Sequence, residues 1–163
     1  MHHHEADAEK ARLIRLLDDA RLRTLTILES VNGDHVVHRD TGWRAKDIVG
    51  HIVFWEEEAL ASLVALKEGT TYTIPDFVSF DAYNQQDYQR RRDRPFLQIQ
   101  DELRTVRNRL KAALVALPPE RFEGYMLFPW PQGGTLSDMI ATMVAHEYEH
   151  VSEIVRAVEA RTG

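Results

Sequence analysis

The sequence predicts an all-α fold, a four-helix bundle, and three observations carry that prediction. Four long segments repeat apolar residues at helical spacing, and nothing between them sustains the alternation of a β-strand. The breaks between segments carry stop signals: Asn32-Gly33-Asp34, Gly69 and Pro118-Pro119. At 163 residues the chain has the size of one ordinary domain. We therefore expect residues 5–163 to form a single bundle and residues 1–4 to be a tag-like or disordered terminus.

The first segment runs from about Ala6 to Val31, with Leu13, Leu17, Ala20, Leu28 and Val31 on one stripe. The second starts near Asp40-Thr41, both plausible capping residues, and places Ile48, Ile52, Trp55, Ala59, Leu63 and Leu66 on one face before Gly69 ends it. A turn-like stretch from Thr70 to Pro75 leads to a shorter helical piece from about Ser79 to Arg91. Pro95 suits the first turn of the next helix, which presents Ile99, Leu103, Val106, Leu110, Leu114 and Leu117. Residues 120–134 hold Phe128-Pro129-Trp130-Pro131 and Gly133-Gly134, a composition for a loop. Thr135 followed by Asp138 resembles a capping box and opens the last helix, which runs to about Ala160. The long connection between the second and third long helices argues against assuming a simple up-down-up-down order.

Composition narrows the function classes. The chain is 44% hydrophobic and 28% charged, which indicates neither disorder nor a membrane class. A formal charge of -6 argues against general affinity for nucleic acid, and the basic run Arg90-Arg91-Arg92-Asp93-Arg94 reads as a solvated helix end. There is no cysteine, so the protein supplies no thiol nucleophile and no thiolate ligand. Without an apolar stretch of signal-peptide or membrane-span length, the expectation is a cytoplasmic protein with no membrane partner.

The chemistry-bearing string is His146-Glu147-Tyr148-Glu149-His150. Residues four apart on a helix project from one face, so His146 and His150 can share one ion. Met143 and Ile154, one turn to either side, continue an apolar stripe, which aims the pair at the core. Such a pair is weak evidence alone, and His51, among Ile48, Ile52 and Trp55 on the second helix, is the candidate third ligand. By itself His51 reads first as a core histidine bonded to a carbonyl; the facing pair reverses that preference. Three neutral imidazoles leave an open coordination position, the mark of a reactive site more than of a structural one. Asp47 and Glu153 stand where a carboxylate either fixes an imidazole tautomer or is solvated. His35 and His38 fall in the loop after the first helix, outside the expected cluster.

The string also matches H-E-x-x-H, with Glu147 as the general base of a zinc protease, but Glu153 and Arg156 occupy the places of the glycine and third histidine that such proteases need. We set that reading aside. Trp55, one turn beyond His51, either packs in the core or lines a pocket. Tyr83 and Asn84 are candidate polar contacts to a substrate, with Asn84 also readable as a cap of the short helix. Phe128 and Trp130 either close over the bundle mouth or anchor a dimer. No residue is identified as catalytic by sequence.

Gly42-Trp43-Arg44-Ala45-Lys46-Asp47-Ile48-Val49-Gly50-His51, followed by Ile52-Val53-Phe54-Trp55-Glu56, resembles the second-helix signature of the DinB/YfiT-like superfamily, and His146 and His150 match its H-x-x-x-H on the last helix. Asp81-Ala82-Tyr83-Asn84 and the arginine-rich segment after it look most similar to the DfsB/colibactin-resistance branch. The resemblance implies a four-helix bundle, a homodimer, and nickel or zinc at a histidine triad. It also implies chemistry on a small-molecule substrate, by transfer with a low-molecular-weight thiol or by hydrolysis that serves detoxification. Two function classes follow: a divalent-metal-dependent enzyme acting on a small electrophile, and a non-catalytic stress or sequestering protein with the same cavity.

Overall fold

A computed structural model of the chain describes residues 3–75 and 79–160. Among them are five helices: α1 (His3–Leu28), α2 (Ala45–Glu68), α3 (Phe80–Arg91), α4 (Phe96–Val115) and α5 (Leu136–Glu159). A 3-10 turn at Pro119–Arg121 and two paired strands, β1 (Met126–Leu127) and β2 (Gly133–Gly134), lie between α4 and α5. The expected terminus at residues 1–4 is covered in part: Met1 and His2 lie outside the described residues, whereas His3 and His4 open α1.

Local chemistry sets the helix ends. Thr135 accepts from the Asp138 backbone N–H at 3.1 Å and the Asp138 carboxylate accepts from the Thr135 N–H at 2.8 Å, the capping box read from sequence. Gly69 ends α2 in the left-handed region, φ 78°, where a side chain would be strained. Ser79 caps α3 by accepting from the Ala82 N–H.

Three expectations about boundaries need correction. First, α2 starts at Ala45, after Asp40-Thr41, because residues 36–44 close on themselves: the Val37 N–H donates to the Trp43 carbonyl at 2.8 Å and the Gly42 N–H to the His38 carbonyl at 2.8 Å. Second, α1 stops at Leu28, short of Val31, where the Ser30 and Val31 N–H groups turn to carbonyls only three residues back. Third, the 120–134 loop holds a two-residue ladder, Met126 opposite Gly134 and Leu127 opposite Gly133, too short for any alternation to show in sequence.

The four long helices form the bundle. α2 packs on α4 and α5, and α1 packs on α5 and α4, so the order around the bundle is α1, α5, α2, α4. Two apolar layers fix the directions. One holds Leu13 and Leu17 of α1, Leu63 of α2, Leu110 and Leu114 of α4 and Met139 and Ile140 of α5. The other holds Leu28, Ile48, Ile52, Ile99, Leu103, Val151 and Ile154. α1 and α5 run from the first layer to the second, while α2 and α4 run the opposite way. Because α2 and α4 are parallel neighbours, the chain must travel back along the bundle between them. That return is the long connection containing α3.

Between the apolar layers lies a layer of charge. Arg21 and Arg107 pair with Glu56 and Glu147, one residue from each long helix, and all four are at most 5% exposed in their side chains. Arg21 also donates to the Leu103 carbonyl and Arg107 to the Leu17 carbonyl. Buried charges are tolerated when every partner is in place, and here each carboxylate meets both guanidiniums.

Candidate metal centre

His51 on α2 faces His146 and His150 on α5 across the seam of two antiparallel neighbours. His146 Nε2 stands 3.2 Å from His51 Nε2 and 3.1 Å from His150 Nε2. All three rings are partly buried. Burial, and then the neighbouring rings His150 and His146, push the His51 imidazole down to about 2; burial and His150 push His146 down to about 4. Both are therefore neutral at neutral pH, the form that coordinates a metal.

The arrangement asks for more than hydrogen bonds can supply. His150 Nδ1 lies 3.1 Å from Glu153 Oε2, and an ionised carboxylate only accepts, so the ring proton sits on Nδ1 and Nε2 presents a lone pair. His146 Nε2 must then donate to His150, which leaves His51 Nε2 facing a group already committed. A divalent ion satisfies all three nitrogens at once. Tetrahedral coordination at about 2.0–2.1 Å sets ligand nitrogens roughly 3.3 Å apart, close to the separations of His146 from His51 and from His150, and the three ligand atoms all lie within 4.8 Å of one another. The donor set fits nickel or zinc.

Behind the cluster stands a residue that sequence reasoning set aside. His38 Nε2 lies 3.0 Å from the same Glu153 oxygen that His150 contacts. Its ring stacks on Trp43 (centroids 6.3 Å apart, 14° between planes), which in turn meets His51 edge-on at 5.7 Å and stacks on Tyr88. The 36–44 turn thus folds His38 back onto α5, so His38 is no bystander to the cluster. His35 is further off, its Nε2 3.1 Å from the Ala157 carbonyl. Asp47, expected near His51, is turned to Arg44: its Oδ2 accepts from the Arg44 N–H and Nε, both at 2.9 Å. It caps α2 and orients no imidazole.

Beside the histidines opens a cavity of about 350 Å³. Trp55, Phe80, Trp130 and Met143 form apolar walls, with Asn84, Gln132 and Thr142 as polar points. Trp55 does line this pocket, and its indole N–H donates to Asn84 Oδ1 at 3.0 Å. Asn84 lies inside α3 and not at its cap. Tyr83 is turned away: its hydroxyl donates to Glu58 Oε1 at 2.9 Å, and burial together with that carboxylate pushes the phenol up to about 12. Phe128 is 3% exposed and packs in the chain's own core, so it is no surface anchor, while Trp130 lies against Trp55 at 6.2 Å.

Glu147, the second residue of H-E-x-x-H, belongs to the buried charge layer. Burial pushes its pKa up, but Arg21 and Arg107 outweigh that and hold it below the usual carboxylate range. A carboxylate locked between two guanidiniums is a poor general base, which fits the rejection of the protease reading. The basic run also differs from a solvated end. Arg91 is 5% exposed and meets Asp87, Glu57 and Glu102, while Arg90 pairs with Asp87 and Arg94 with Glu102. Asp87 and Glu102 lie within 11 residues of the arginines they meet, whereas Glu57 of α2 is 33 residues from Arg90 and 34 from Arg91, so the run of like charge hid the ion pairs.

Fold and site together define a helical-bundle protein with a metal-capable histidine triad beside an aromatic cavity. The chain belongs to the DinB superfamily, whose family model matches residues 7–154. Solved structures share the fold at low identity. An uncharacterised protein from Escherichia coli UTI89 is 14% identical with a TM-score of 0.73, over 94% of each chain. YfiT from Bacillus subtilis, described as "a probable metal-dependent hydrolase with an unusual four-helix bundle topology", is 17% identical with a TM-score of 0.71, over 94% of this chain and 87% of that one. The colibactin self-resistance protein ClbS, solved in complex with a dsDNA, is 17% identical with a TM-score of 0.70, over 94% and 96%. No curated protein matches the chain.

Proposed function

We propose that the protein is a divalent-metal-dependent hydrolase of small electrophilic molecules, with His51, His146 and His150 holding nickel or zinc. The observation that carries this reading is the convergence of three Nε2 atoms at the edge of an open, apolar cavity. The description of YfiT as "a probable metal-dependent hydrolase" supports it. A bound divalent ion supplies Lewis acidity and lowers the pKa of a water or thiol that reaches it. The chain's own residues do the rest. Glu153 fixes the tautomer of His150, and His38, stacked on Trp43, fixes Glu153. Trp55, Phe80 and Trp130 hold the substrate body and exclude water.

The finer parts of the proposal are a single domain spanning 5–163, a homodimer, a cytoplasmic setting and a role in detoxification. No helix among the described residues is long and apolar enough to cross a membrane. The second reading, a sequestering protein that binds without reacting, is favoured by one observation: Glu56 and Glu147, the carboxylates lining the cavity, are both spent on arginines. Hydrolysis of a panel of aryl esters and amides by zinc- or nickel-loaded protein separates the two. The enzyme reading expects turnover that disappears with EDTA and in His51→Ala. Turnover that survives both would refute it, and stoichiometric binding without turnover would favour sequestration.

A further inference from the structure

The cavity lining carries information about its ligand that the histidine cluster does not. Its aromatic walls come from three separate elements: Trp55 on α2, Phe80 on α3 and Trp130 in the loop between β1 and β2. Trp55 lies 5.8 Å from Phe80 and 6.2 Å from Trp130, in tilted and edge-on contacts that fix its plane. No lining residue presents an unbalanced charge. Glu56 and Glu147 are the lining carboxylates, and the two arginines that neutralise them bond only to those acids and to main-chain carbonyls. A ligand bearing several carboxylates or ammonium groups would lose its hydration here and gain no partner.

One polar group has a defined polarity. An indole N–H only donates, so the Asn84 atom 3.0 Å from it is the amide oxygen. The Asn84 NH2 group is then left with two donors that meet no acceptor among the described residues. It faces the same cavity as His51 and His146.

We infer that the cavity selects an uncharged aromatic carbonyl compound, an ester, amide or lactam whose ring packs against the wall that Trp55 and Trp130 form together and whose carbonyl oxygen accepts from Asn84. This rests on the metal-hydrolase reading for its chemistry but on the walls alone for its recognition. It also disfavours a carboxylate-bearing thiol as an occupant of this cavity.

Calorimetric titration with naphthalene-2-carboxamide, naphthalene-2,6-dicarboxylate and 2-naphthylmethylammonium tests it, each run on EDTA-treated and on zinc-loaded protein. The carboxamide is expected to bind one per chain, at least tenfold tighter than either charged probe, whether or not zinc is present. Trp130→Ala should weaken the carboxamide by about tenfold or more, the scale of a lost aromatic wall. Asn84→Asp keeps the acceptor for Trp55 and removes both donors; it should weaken the carboxamide by about threefold to tenfold and leave unsubstituted naphthalene unaffected. Equal or tighter binding of a charged probe to EDTA-treated protein, no binding of the carboxamide, or full affinity in Trp130→Ala would overturn the inference. Zinc binding is counted in the same samples, so a failed triad with intact carboxamide binding refutes the hydrolase reading and leaves this one standing.

Discussion

At the scale of single residues, the imidazoles respond to burial and to one another. His51 and His146 are held at about 2 and about 4, below the ordinary histidine value, so the unfolded chain takes up protons first as pH falls. The sign follows: metal-free protein is most stable above about pH 6.5 and loses stability as pH drops below it. Between pH 7.5 and 5.5 the loss should be on the order of 1–3 kcal/mol, read as a lower urea midpoint, and His146→Asn should flatten the profile. An unchanged or higher midpoint at pH 5.5 would show that burial does not hold the rings neutral. The two loop histidines behave differently from each other. Because His38 shares an oxygen of Glu153 with His150, Glu153→Gln should weaken zinc binding by about 10- to 100-fold and His38→Ala by a smaller factor, with His35→Ala unchanged. Equal affinities in His38→Ala and His35→Ala would show that His38 does not support Glu153. The clustering of the three histidines was legible because the i,i+4 pair on α5 and the inward stripe around His51 on α2 can each be counted along one helix. His38 was not, since only the fold of the 36–44 turn carries it to α5.

At the scale of elements, the bundle is two apolar layers around a ring of charge. The apolar stripes were readable from periodicity; Ile99, Leu103, Val106, Leu110, Leu114 and Leu117 of the third long segment are all buried. The charge layer was invisible, because Arg21, Glu56, Arg107 and Glu147 are far apart in sequence and each looks like a break in its own stripe. Asp47 was misread for a related reason: one turn before His51 is also the third residue of a helix that begins at Ala45, and the cap claimed it. Removing one member of the charge layer should be costly. Glu147→Ala leaves two guanidiniums facing one carboxylate, and we expect a loss of about 3–5 kcal/mol in chemical denaturation. Arg107→Met combined with Glu147→Met should cost less than the sum of the single changes, the coupling expected of residues in contact. If Glu147→Ala keeps full stability and loses only activity, Glu147 acts as a catalytic base after all.

At the scale of the whole molecule, direction and placement decide what the sequence pattern left open. Helical periodicity cannot say that α2 and α4 run parallel, and the long connection with α3 was the one hint that they do. The parallel pair frees α3 to lie beside α2 and supply Phe80 and Asn84 to the cavity, so the topology that broke the simple bundle order also built the pocket. Phe128 shows the opposite lesson, since an aromatic in a proline-rich loop is as ready to plug its own core as to meet a partner. The proposed metal site is one that α2 and α5 close together at their seam. Its most direct test is metal stoichiometry, by equilibrium dialysis with zinc or nickel on protein lacking residues 1–4, so that the terminal histidines cannot contribute. About one ion per chain is expected for the wild-type sequence and for His35→Ala, with binding weakened steeply when His51, His146 or His150 is replaced by alanine. No bound ion, or an ion held equally well without His51, would contradict it.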